Sequence, residues 1–334
     1  MGDGAQAWSG ARTSHWQDWP ARRLGELKRR DGVLISVVIP ARNEARTVGG
    51  VVTAISDALM KRTALVDEVV VMDSDSTDST ADEAAGAGAT VFATREVAPE
   101  LGSYPGKGEA LWKSLLVTKG DLLVFVDADL TRWGPHFVTG LLGPLLAHEQ
   151  VRLVKGFYTR VRTESDGSTS TEGGRVTELV ARPLINLWWP ELAGVIQPLA
   201  GEWAARRSLM ESLSIPVGYG VELATLMDTA ARFGLDAVAQ VDLGSRAHRH
   251  QANHDLALMA AELLMVAERR RPAGREPARA QITQYTREDG QVRPVVRPVP
   301  AHERPPAATL AGRPGTRPAA AVAGPVTGTC GGSR

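Results

Sequence analysis

Short apolar runs alternate with helical patterns in the first part of the chain, and this alternation constrains the fold more than any other feature. Largely apolar runs at 34–39, 69–72, 90–93 and 122–126 predict strands buried on both faces of a sheet. Between them, apolar residues recur at helical spacing, as they do in 48–59. Four strand and helix units before residue 130 predict a doubly wound α/β sheet, in which ligands bind at the carboxyl ends of the strands.

Charge and composition exclude several classes of partner. The chain has 334 residues, of which 43% are hydrophobic, so it is long enough to bury a sizeable core without disulfide bonds. Lys and Arg together number 38, as do Asp and Glu, so there is no basic excess of the kind that binds nucleic acid or an anionic membrane. We therefore expect neither partner.

Two further absences predict a cytoplasmic protein. Cys330 is the only cysteine, so no internal disulfide can form and a reducing compartment fits best. No apolar stretch approaches the roughly 18 to 20 residues that span a bilayer, and residues 1–30 lack the apolar core of a signal peptide.

The chain divides into four parts by composition. Residues 1–30 are Trp-rich and aperiodic, which predicts an extended arm anchored by Trp16 and Trp19. The strand and helix core follows at 31–150, and a second part follows at 151–290. We expect 291–334 to be a disordered tail, because half of the twenty prolines lie in the last 64 residues.

The triplet Asp127-Ala128-Asp129 carries the most specific chemical prediction. A predicted strand brings both carboxylates to the edge of the sheet where a ligand would lie. Mg²⁺ or Mn²⁺ is held by one or two carboxylates together with phosphate oxygens, and a diphosphate leaving group needs such a cation. The alternative is that the two aspartates only cap the following helix.

Two more predicted strands end in polar loops. The turn Pro40-Ala41-Arg42-Asn43-Glu44 follows the first strand, where Glu44 could bind a base or a ribose hydroxyl. The loop 73–78 follows the second strand and is rich in Asp and Ser, which are also common turn and cap residues. Without the aspartate pair, an ordinary turn would be favoured at 40–44. With that pair, and with the second loop also at a strand end, a nucleotide site is favoured.

The segment 105–110 places Lys107 between two glycines just before a predicted helix. A cation with close backbone approach suits a phosphate or a uracil ring. The spacing of a Walker loop is missing, which excludes a P-loop ATPase. The alternative is a solvated lysine in a turn.

Two basic segments follow in the second half of the chain. Arg246-Ala247-His248-Arg249-His250 comes after a predicted strand at 239–243, so His248 could bind the metal and Arg246 the diphosphate. The segment 173–177 begins a predicted helix and offers backbone N–H groups, a guanidinium and a hydroxyl for a phosphorylated acceptor. The alternatives are a solvated basic surface and a simple helix cap.

Taken together, these segments resemble the glucosyl-3-phosphoglycerate synthase family over roughly residues 15–290. The resemblance is carried by Asp127-Ala128-Asp129 and by the segments 105–112, 173–183, 197–202, 218–222 and 246–249, in this order. It implies a GT-A fold, which is a Rossmann-like, mostly parallel sheet flanked by helices, with a smaller C-terminal part that binds the acceptor and forms a homodimer. It also implies transfer of glucose, with retention of configuration, from UDP-glucose to 3-phosphoglycerate, assisted by Mg²⁺ or Mn²⁺.

The resemblance also assigns roles to individual residues. Uridine would contact Pro40, Ala41, Arg42, Glu44, Ser74 and Lys107, with Asp127 and Ala128 near the ribose and the sugar. Glucose would contact Leu199, Tyr219 and Glu222, and the metal would be held by Asp129 and His248. The acceptor would bind to Gly174, Arg175 and Thr177, and to His250, where the family usually has Asn.

The chemistry of transfer is left open by the residues. Glu222, Asp129 and Arg246 are the candidate catalytic residues, and Glu222 is the only carboxylate nominated near the anomeric carbon. It would act as a nucleophile in a double displacement or orient a substrate in a front-face route. A GDP-mannose donor, a glycerate acceptor, a non-catalytic nucleotide-sugar-binding protein and a nucleotidyltransferase are the alternative functions.

Overall fold

The computed structural model describes residues 3–163, 169–170, 174–247, 253–271, 273–274, 281–288 and 290–299. The strands are β1 (Thr13–His15), β2 (Ile35–Ala41), β3 (Glu68–Asp73), β4 (Thr90–Ala93), β5 (Leu122–Phe125), β6 (Leu153–Thr163), β7 (Thr169–Ser170), β8 (Trp203–Arg206), β9 (Val238–Ala247), β10 (Gln281–Glu288) and β11 (Gln291–Pro298). The helices are α1 (Asp3–Arg12), α2 (Ala21–Asp31), α3 (Val48–Ile55), α4 (Thr80–Gly86), α5 (Lys107–Val117), α6 (His136–Ala147), α7 (Arg182–Trp188), α8 (Arg207–Met210), α9 (Val221–Phe233) and α10 (Asn253–Arg270). Wider helical turns extend α3 over Ser56–Lys61 and precede α7 at Thr177–Ala181.

One sheet joins the two halves of the chain in the order β1-β9-β6-β8-β5-β2-β3-β4, with β7 paired to β6. The pairs β2 with β3, β2 with β5 and β3 with β4 are parallel, as the strand and helix alternation predicts. Strand β8 is antiparallel to both of its neighbours, β5 and β6. The mostly parallel, doubly wound sheet is confirmed, and β8 is the strand that links the predicted core to the second part.

Both faces of this sheet are covered by helices. Val37 and Ile39 of β2 pack in one apolar cluster with α3 and α6, whereas Val38 packs in a second cluster with α5 and α9. All three side chains are fully buried. Each such burial stabilises the fold by about 1.5–3 kcal/mol, which is why the strand sequence is apolar at successive positions.

The first 30 residues differ from the extended arm that was predicted. They form α1, α2 and the edge strand β1, which pairs in parallel with β9. Trp19 is buried, and the centroid of the Trp16 ring lies 4.4 Å from that of His136 with the two planes tilted by 43°, so both predicted anchors are confirmed. Trp8 is a third anchor, whose indole N–H donates to the carbonyls of Leu235 and Val238 at 3.0 and 3.1 Å. Helix α2 is mostly polar, and Leu24 is its one fully buried side chain.

The predicted start of a disordered tail at residue 291 is wrong for 291–298, because these residues form β11 and pair with β10. The hairpin packs on the body, where the Thr283 N–H donates to the Asn186 side chain at 2.9 Å and the Tyr285 hydroxyl donates to the Ala193 carbonyl at 2.8 Å. Proline content does not predict this hairpin. Pro294 is tolerated because β11 belongs to a two-stranded sheet and has one unpaired edge. The compact unit extends to Pro298, and residues 300–334 lie outside the described residues.

None of the helices that the structure describes is both long and apolar enough to cross a membrane.

Candidate active site

The carboxyl ends of β2, β3 and β5 lie at one edge of the sheet, which we call the binding edge. The loops that follow β2 and β3 are locked together there. The Asn43 N–H donates to the Ser76 hydroxyl at 2.9 Å, and the Asn43 side chain accepts from the Thr77 N–H at 2.8 Å. The Glu44 N–H donates to the Thr80 hydroxyl at 2.8 Å. These bonds fix both loops, and the Glu44 carboxylate accepts from the Thr47 hydroxyl at 3.2 Å.

The residues predicted to contact uridine lie together at the binding edge. The Ser74 N–H donates to the Ala41 carbonyl at 2.9 Å, which joins the two strand ends. Ala41 is buried, Pro40, Glu44 and Ser74 are half-buried, and Arg42 is exposed. Their grouping fits the prediction, and their contacts with a nucleotide stay predicted.

The loop after β5 carries the two predicted carboxylates to the same edge. Asp127 Oδ1 lies 2.7 Å from Lys107 Nζ, and Asp127 Oδ2 lies 3.1 Å from Arg246 Nη2. Asp129 Oδ1 lies 2.9 Å from the same guanidinium nitrogen. The helix that follows begins at His136 with Pro135 at its N-cap, so the alternative that these aspartates cap a helix is wrong.

The electrostatic setting distinguishes the two aspartates. Burial would raise the pKa of Asp127, but the adjacent Lys107 and Arg246 cations outweigh it and hold that pKa well below its usual range. Burial, followed by the Asp127 charge, raises the pKa of Asp129. An additional cation would therefore stabilise the ionised form of Asp129 more than that of Asp127.

Lys107 is an internal residue of the site and not a solvated lysine. Its ammonium lies 2.7 Å from Asp127 and 2.8 Å from Glu222. Burial would lower the pKa of Lys107, but these two carboxylates raise it above its ordinary value. The lysine therefore remains a cation at the point where two carboxylates meet.

The glycines on either side of Lys107 permit this placement. Gly106 has φ of 137°, and a Cβ atom on Gly108 would lie 1.8 Å from the Pro216 carbonyl oxygen. The Glu109 N–H donates to the Val217 carbonyl at 2.9 Å. The turn therefore packs backbone to backbone on the segment that leads into α9.

The residues predicted to contact the sugar lie on two segments. Glu222 is in the first turn of α9 and is buried, whereas Tyr219 precedes that helix and is 41% exposed. Leu199 is half-buried and packs at the margin of an apolar cluster. Ala128, which was predicted to lie near the sugar and ribose, is buried between the two aspartates.

Arg246 connects the carboxylates of the site. It comes from the end of β9, and its Nη1 lies 2.8 Å from Glu202 Oε1 and donates to the Tyr158 hydroxyl at 2.8 Å. Burial would lower the pKa of Arg246, but Glu202 and its other acidic neighbours raise it well above its ordinary value. The alternative of a solvated basic surface is therefore wrong for Arg246, which is only 6% exposed.

Three buried residues of the site were not predicted. They are Tyr158 and Lys155 on β6 and Glu202 just before β8. Glu202 is fully buried, and burial raises its pKa although Arg246 opposes the shift. Its position at the end of the recognised segment 197–202 was the available signal, because a carboxylate beside a buried strand requires a cation.

The predicted acceptor residues begin the helical segment that precedes α7. Gly174 has φ of 76°, and its carbonyl accepts from the Glu178 N–H at 2.9 Å. Arg175 is exposed and Thr177 is buried. His250 lies outside the described residues, so the acceptor site stays a prediction.

The described residues fit a hard divalent cation by their chemistry. Asp127 and Asp129 supply carboxylate oxygens with side-chain exposures of 24% and 27%, which are the ligand type and number that Mg²⁺ and Mn²⁺ take beside phosphate oxygens. Within the described part of the chain, no three His, Cys, Asp or Glu side chains cluster to bind a metal. His248, the predicted imidazole ligand, lies outside it.

Comparison with known proteins agrees with this geometry. Residues 36–164 match Glycosyl transferase family 2. The glucosyl-3-phosphoglycerate synthase of Mycolicibacterium smegmatis is 44% identical over 299 residues, which cover 89% of this chain and 97% of that protein.

Two solved structures are similar in fold as well as in sequence. The mannosyl-3-phosphoglycerate synthase of Rubrobacter xylanophilus has a TM-score of 0.74 and 38% identity, with 88% of this chain and 94% of that chain covered. The glucosyl-3-phosphoglycerate synthase of Mycobacterium tuberculosis in complex with Mn²⁺, UDP-glucose and phosphoglyceric acid has a TM-score of 0.71 and 43% identity, with 88% and 97% covered. By identity, coverage and fold, the chain belongs to the glucosyl-3-phosphoglycerate synthase family.

Proposed function

We propose that this chain is a glycosyltransferase that moves glucose from UDP-glucose to 3-phosphoglycerate and works with Mn²⁺ or Mg²⁺. The observation that carries the proposal is the assembly of Asp127, Asp129, Lys107, Arg246 and Glu222 at the binding edge. The related Mycobacterium tuberculosis enzyme has been solved with Mn²⁺, UDP-glucose and phosphoglyceric acid together.

The two cations of the site act on the leaving diphosphate. Arg246 is buried and the Lys107 side chain is only 15% exposed, so both charges are weakly screened and act strongly on the negative charge that develops as the glycosidic bond breaks. Glu202 and Tyr158 hold the guanidinium in place from behind. Asp129 and His248 would hold the metal, which adds further positive charge beside the diphosphate.

We propose that transfer proceeds with retention and by the front-face route. Glu222 is already in an ion pair with Lys107 at 2.8 Å, which disfavours it as a free nucleophile and suits it to orient the sugar. In this route the acceptor hydroxyl oxygen forms the bond to the anomeric carbon while the bond to the diphosphate breaks. The hydroxyl proton passes to the leaving diphosphate oxygen.

The acceptor assignment rests on the helix start at Gly174, Arg175 and Thr177. Backbone N–H groups and a guanidinium suit both the phosphate and the carboxylate of 3-phosphoglycerate. His250 would add one hydrogen bond, and a positive charge when it is protonated. Glycerate lacks the phosphate and should therefore bind much more weakly.

We also propose a homodimer formed by a groove between α7 and α10. The groove is lined mainly by apolar side chains, including Leu184, Trp188, Leu264 and Met265. Leu264 and Met265 are 51% and 59% exposed, which is unusual for neighbouring large apolar residues. A second copy of the chain would cover them.

A cytoplasmic location fits the charged, water-soluble substrates.

A donor and acceptor panel tests the proposed function. The donors are UDP-glucose and GDP-mannose, and the acceptors are 3-phosphoglycerate, 2-phosphoglycerate, glycerate and phosphoenolpyruvate. We expect Mn²⁺-dependent, chelator-sensitive formation of an α-linked glucosyl-3-phosphoglycerate, identified by NMR of the anomeric proton. GDP-mannose is included because the related Rubrobacter xylanophilus protein is a mannosyl-3-phosphoglycerate synthase. Preference for GDP-mannose, a β-linked product, or equal use of glycerate would contradict the proposal.

A further inference from the structure

Lys155 is a fully buried lysine beneath the site, and none of the roles described so far involves it. It lies on β6, is 1% exposed, and packs 5.5 Å above the Trp203 ring. Its ammonium donates to the Ala200 carbonyl at 2.9 Å. Burying a lysine is costly, so the contact that retains it is expected to have a use.

The Ala200 carbonyl belongs to the segment 197–201, which forms one wall of the site. Gln197 fixes the start of this segment on β6, because its amide donates to the Tyr158 carbonyl at 2.6 Å and accepts from the Tyr158 N–H at 3.3 Å. At the other end, a Cβ atom on Gly201 would lie 2.2 Å from Asp127 Oδ2. Leu199, predicted to contact glucose, lies between these two fixed points.

The charges that face Lys155 come from the elements that build the site. They are Glu222 of α9, Lys107 of α5, Glu202 before β8 and Asp127 after β5. Burial lowers the pKa of Lys155 to about 7, and the Glu222 carboxylate opposes that shift. Lys155 is thus electrostatically coupled to the site without belonging to the direct ion pairs of Asp127 or Glu222 described above.

We propose that Lys155 is a positioning residue for the donor sugar, which holds the segment 197–201 against Asp127 through the Ala200 carbonyl. The identity of the sugar rests on the proposed function. Without the ammonium, the segment keeps its anchor at Gln197 but loses the bond that fixes the Ala200 carbonyl. Leu199 would then move away from the sugar. The loops at the ends of β2 and β3 would still bind the nucleotide.

The test compares affinities for UDP and UDP-glucose, measured by calorimetry with Mn²⁺, in the full-length protein and in Lys155→Met. Methionine keeps the apolar stem and removes the donor. We expect UDP affinity to change less than about twofold and UDP-glucose affinity to fall about tenfold, the scale of losing one buried hydrogen bond. The KM for the acceptor should not change.

Lys113→Met is the matched control. Lys113 is also fully buried and donates to two carbonyls, those of Thr94 at 3.0 Å and Gly102 at 2.7 Å, but it holds no part of the segment 197–201. We expect it to lower stability and to leave the ratio of UDP to UDP-glucose affinity unchanged. If Lys155→Met does not fold, Lys155→Gln retains an N–H donor and should show a smaller loss of UDP-glucose affinity alone.

Equal losses of UDP and UDP-glucose affinity, the same change of ratio in Lys113→Met, or no change in either Lys155 variant would overturn the positioning role. A wild-type protein that binds neither ligand would instead contradict the proposed donor. In that case GDP and GDP-mannose replace UDP and UDP-glucose, and the same comparison tests Lys155.

Discussion

At the scale of single residues, the site depends on the shape of one guanidinium. Arg246 reaches Asp127 and Asp129 with one nitrogen, and Glu202 and Tyr158 with the other. A planar fork with several donors can satisfy opposed acceptors at once, and an ammonium on a flexible stem cannot. Arg246 therefore sets the distance between the carboxylates and also compensates their negative charges.

We predict that Arg246→Lys lowers kcat/KM by about a hundredfold or more, because lysine loses the forked contacts to Glu202 and the two aspartates. Steady-state kinetics at saturating Mn²⁺ would measure it. Arg207→Lys is the control, since Arg207 bonds the Gly120 carbonyl at 2.7 Å, outside the site. That variant should lose stability with kcat/KM within a few-fold of wild type, and an equally active Arg246→Lys enzyme would contradict this view of the site.

The buried Lys155 also predicts a pH dependence of stability. Its pKa is lowered from 10.5 to about 7 in the folded chain, so between these values the unfolded chain binds the proton more tightly. The contribution of Lys155 to the free energy of unfolding should therefore rise from about pH 7 towards pH 10.5 and be constant below pH 7.

Urea denaturation of wild type and Lys155→Met at pH 6.5 and pH 9 would isolate this contribution, because other titrating groups are common to both proteins. We expect wild type to gain stability relative to the variant at the higher pH. A difference between the two proteins that stays the same at both pH values would show that Lys155 does not titrate in this range.

At the scale of elements, the turn before α5 and the segment before α9 form one unit. Their backbones touch at Gly106 and Gly108, and this contact brings Lys107 to Glu222. A side chain on either glycine would separate the two segments. The ion pair between Lys107 and Glu222 therefore depends on the absence of side chains at Gly106 and Gly108 as much as on the two charges.

We predict that Gly108→Ala lowers kcat/KM at least about tenfold, because the new methyl group overlaps the Pro216 carbonyl and moves Lys107 from Glu222. Kinetics with both substrates would check the loss. Gly50→Ala is the control, since Gly50 lies in α3 and has open space around its Cβ position. This control should retain activity and gain up to about 1 kcal/mol of stability.

The elements also show how much of the fold could be predicted from the sequence. Apolar runs predicted β2, β3, β4 and β5, because a strand buried on both faces has a pattern of its own. Strand β8 has the sequence Trp-Ala-Ala-Arg, which is not an apolar run of this kind and gave no such pattern. Its place between β5 and β6 is decided by pairing with distant segments.

The candidate site shows the same division between residues that local patterns predict and residues whose roles depend on distant partners. Asp127 and Lys107 were predicted because Asp127 follows a recognisable apolar strand and Lys107 lies between two glycines at the start of a helix. The buried state of Arg246 was not, because its partners Asp127 and Glu202 are 119 and 44 residues away along the chain. Tyr158 and Glu202 acquire their roles only through this guanidinium. Residue types, local spacing and the family resemblance therefore identified most of the charges of the site, but not the network that holds them.

At the scale of the whole molecule, the hairpin of β10 and β11 belongs to the body on which it packs. Besides its bonds to Asn186 and Ala193, it is tied to the sheet by Arg287, which lies 2.7 Å from Asp242 of β9. Asp242 lies four positions before Arg246 on the same strand. The hairpin therefore braces the strand that delivers Arg246.

We predict that a chain ending at Val299 keeps the stability and turnover of the full-length protein, because the compact unit ends at Pro298. A chain ending at residue 280 should lose about 2–4 kcal/mol, the scale of the three polar contacts removed with the hairpin. Thermal melting and activity assays of the two truncations would measure both effects. Equal behaviour of the two proteins would mean that the hairpin stabilises nothing.

Strand β9 has a consequence for how the protein folds. It pairs with β1, and Thr13 lies opposite Gln240, so the sheet is completed only when the chain has closed a loop of more than two hundred residues. Contacts of such long range form slowly, because the entropy of loop closure is lost before they are made. During synthesis, the N-terminal strand and the nucleotide loops leave the ribosome long before Arg246. Catalytic competence should therefore appear late in refolding, after most secondary structure has formed.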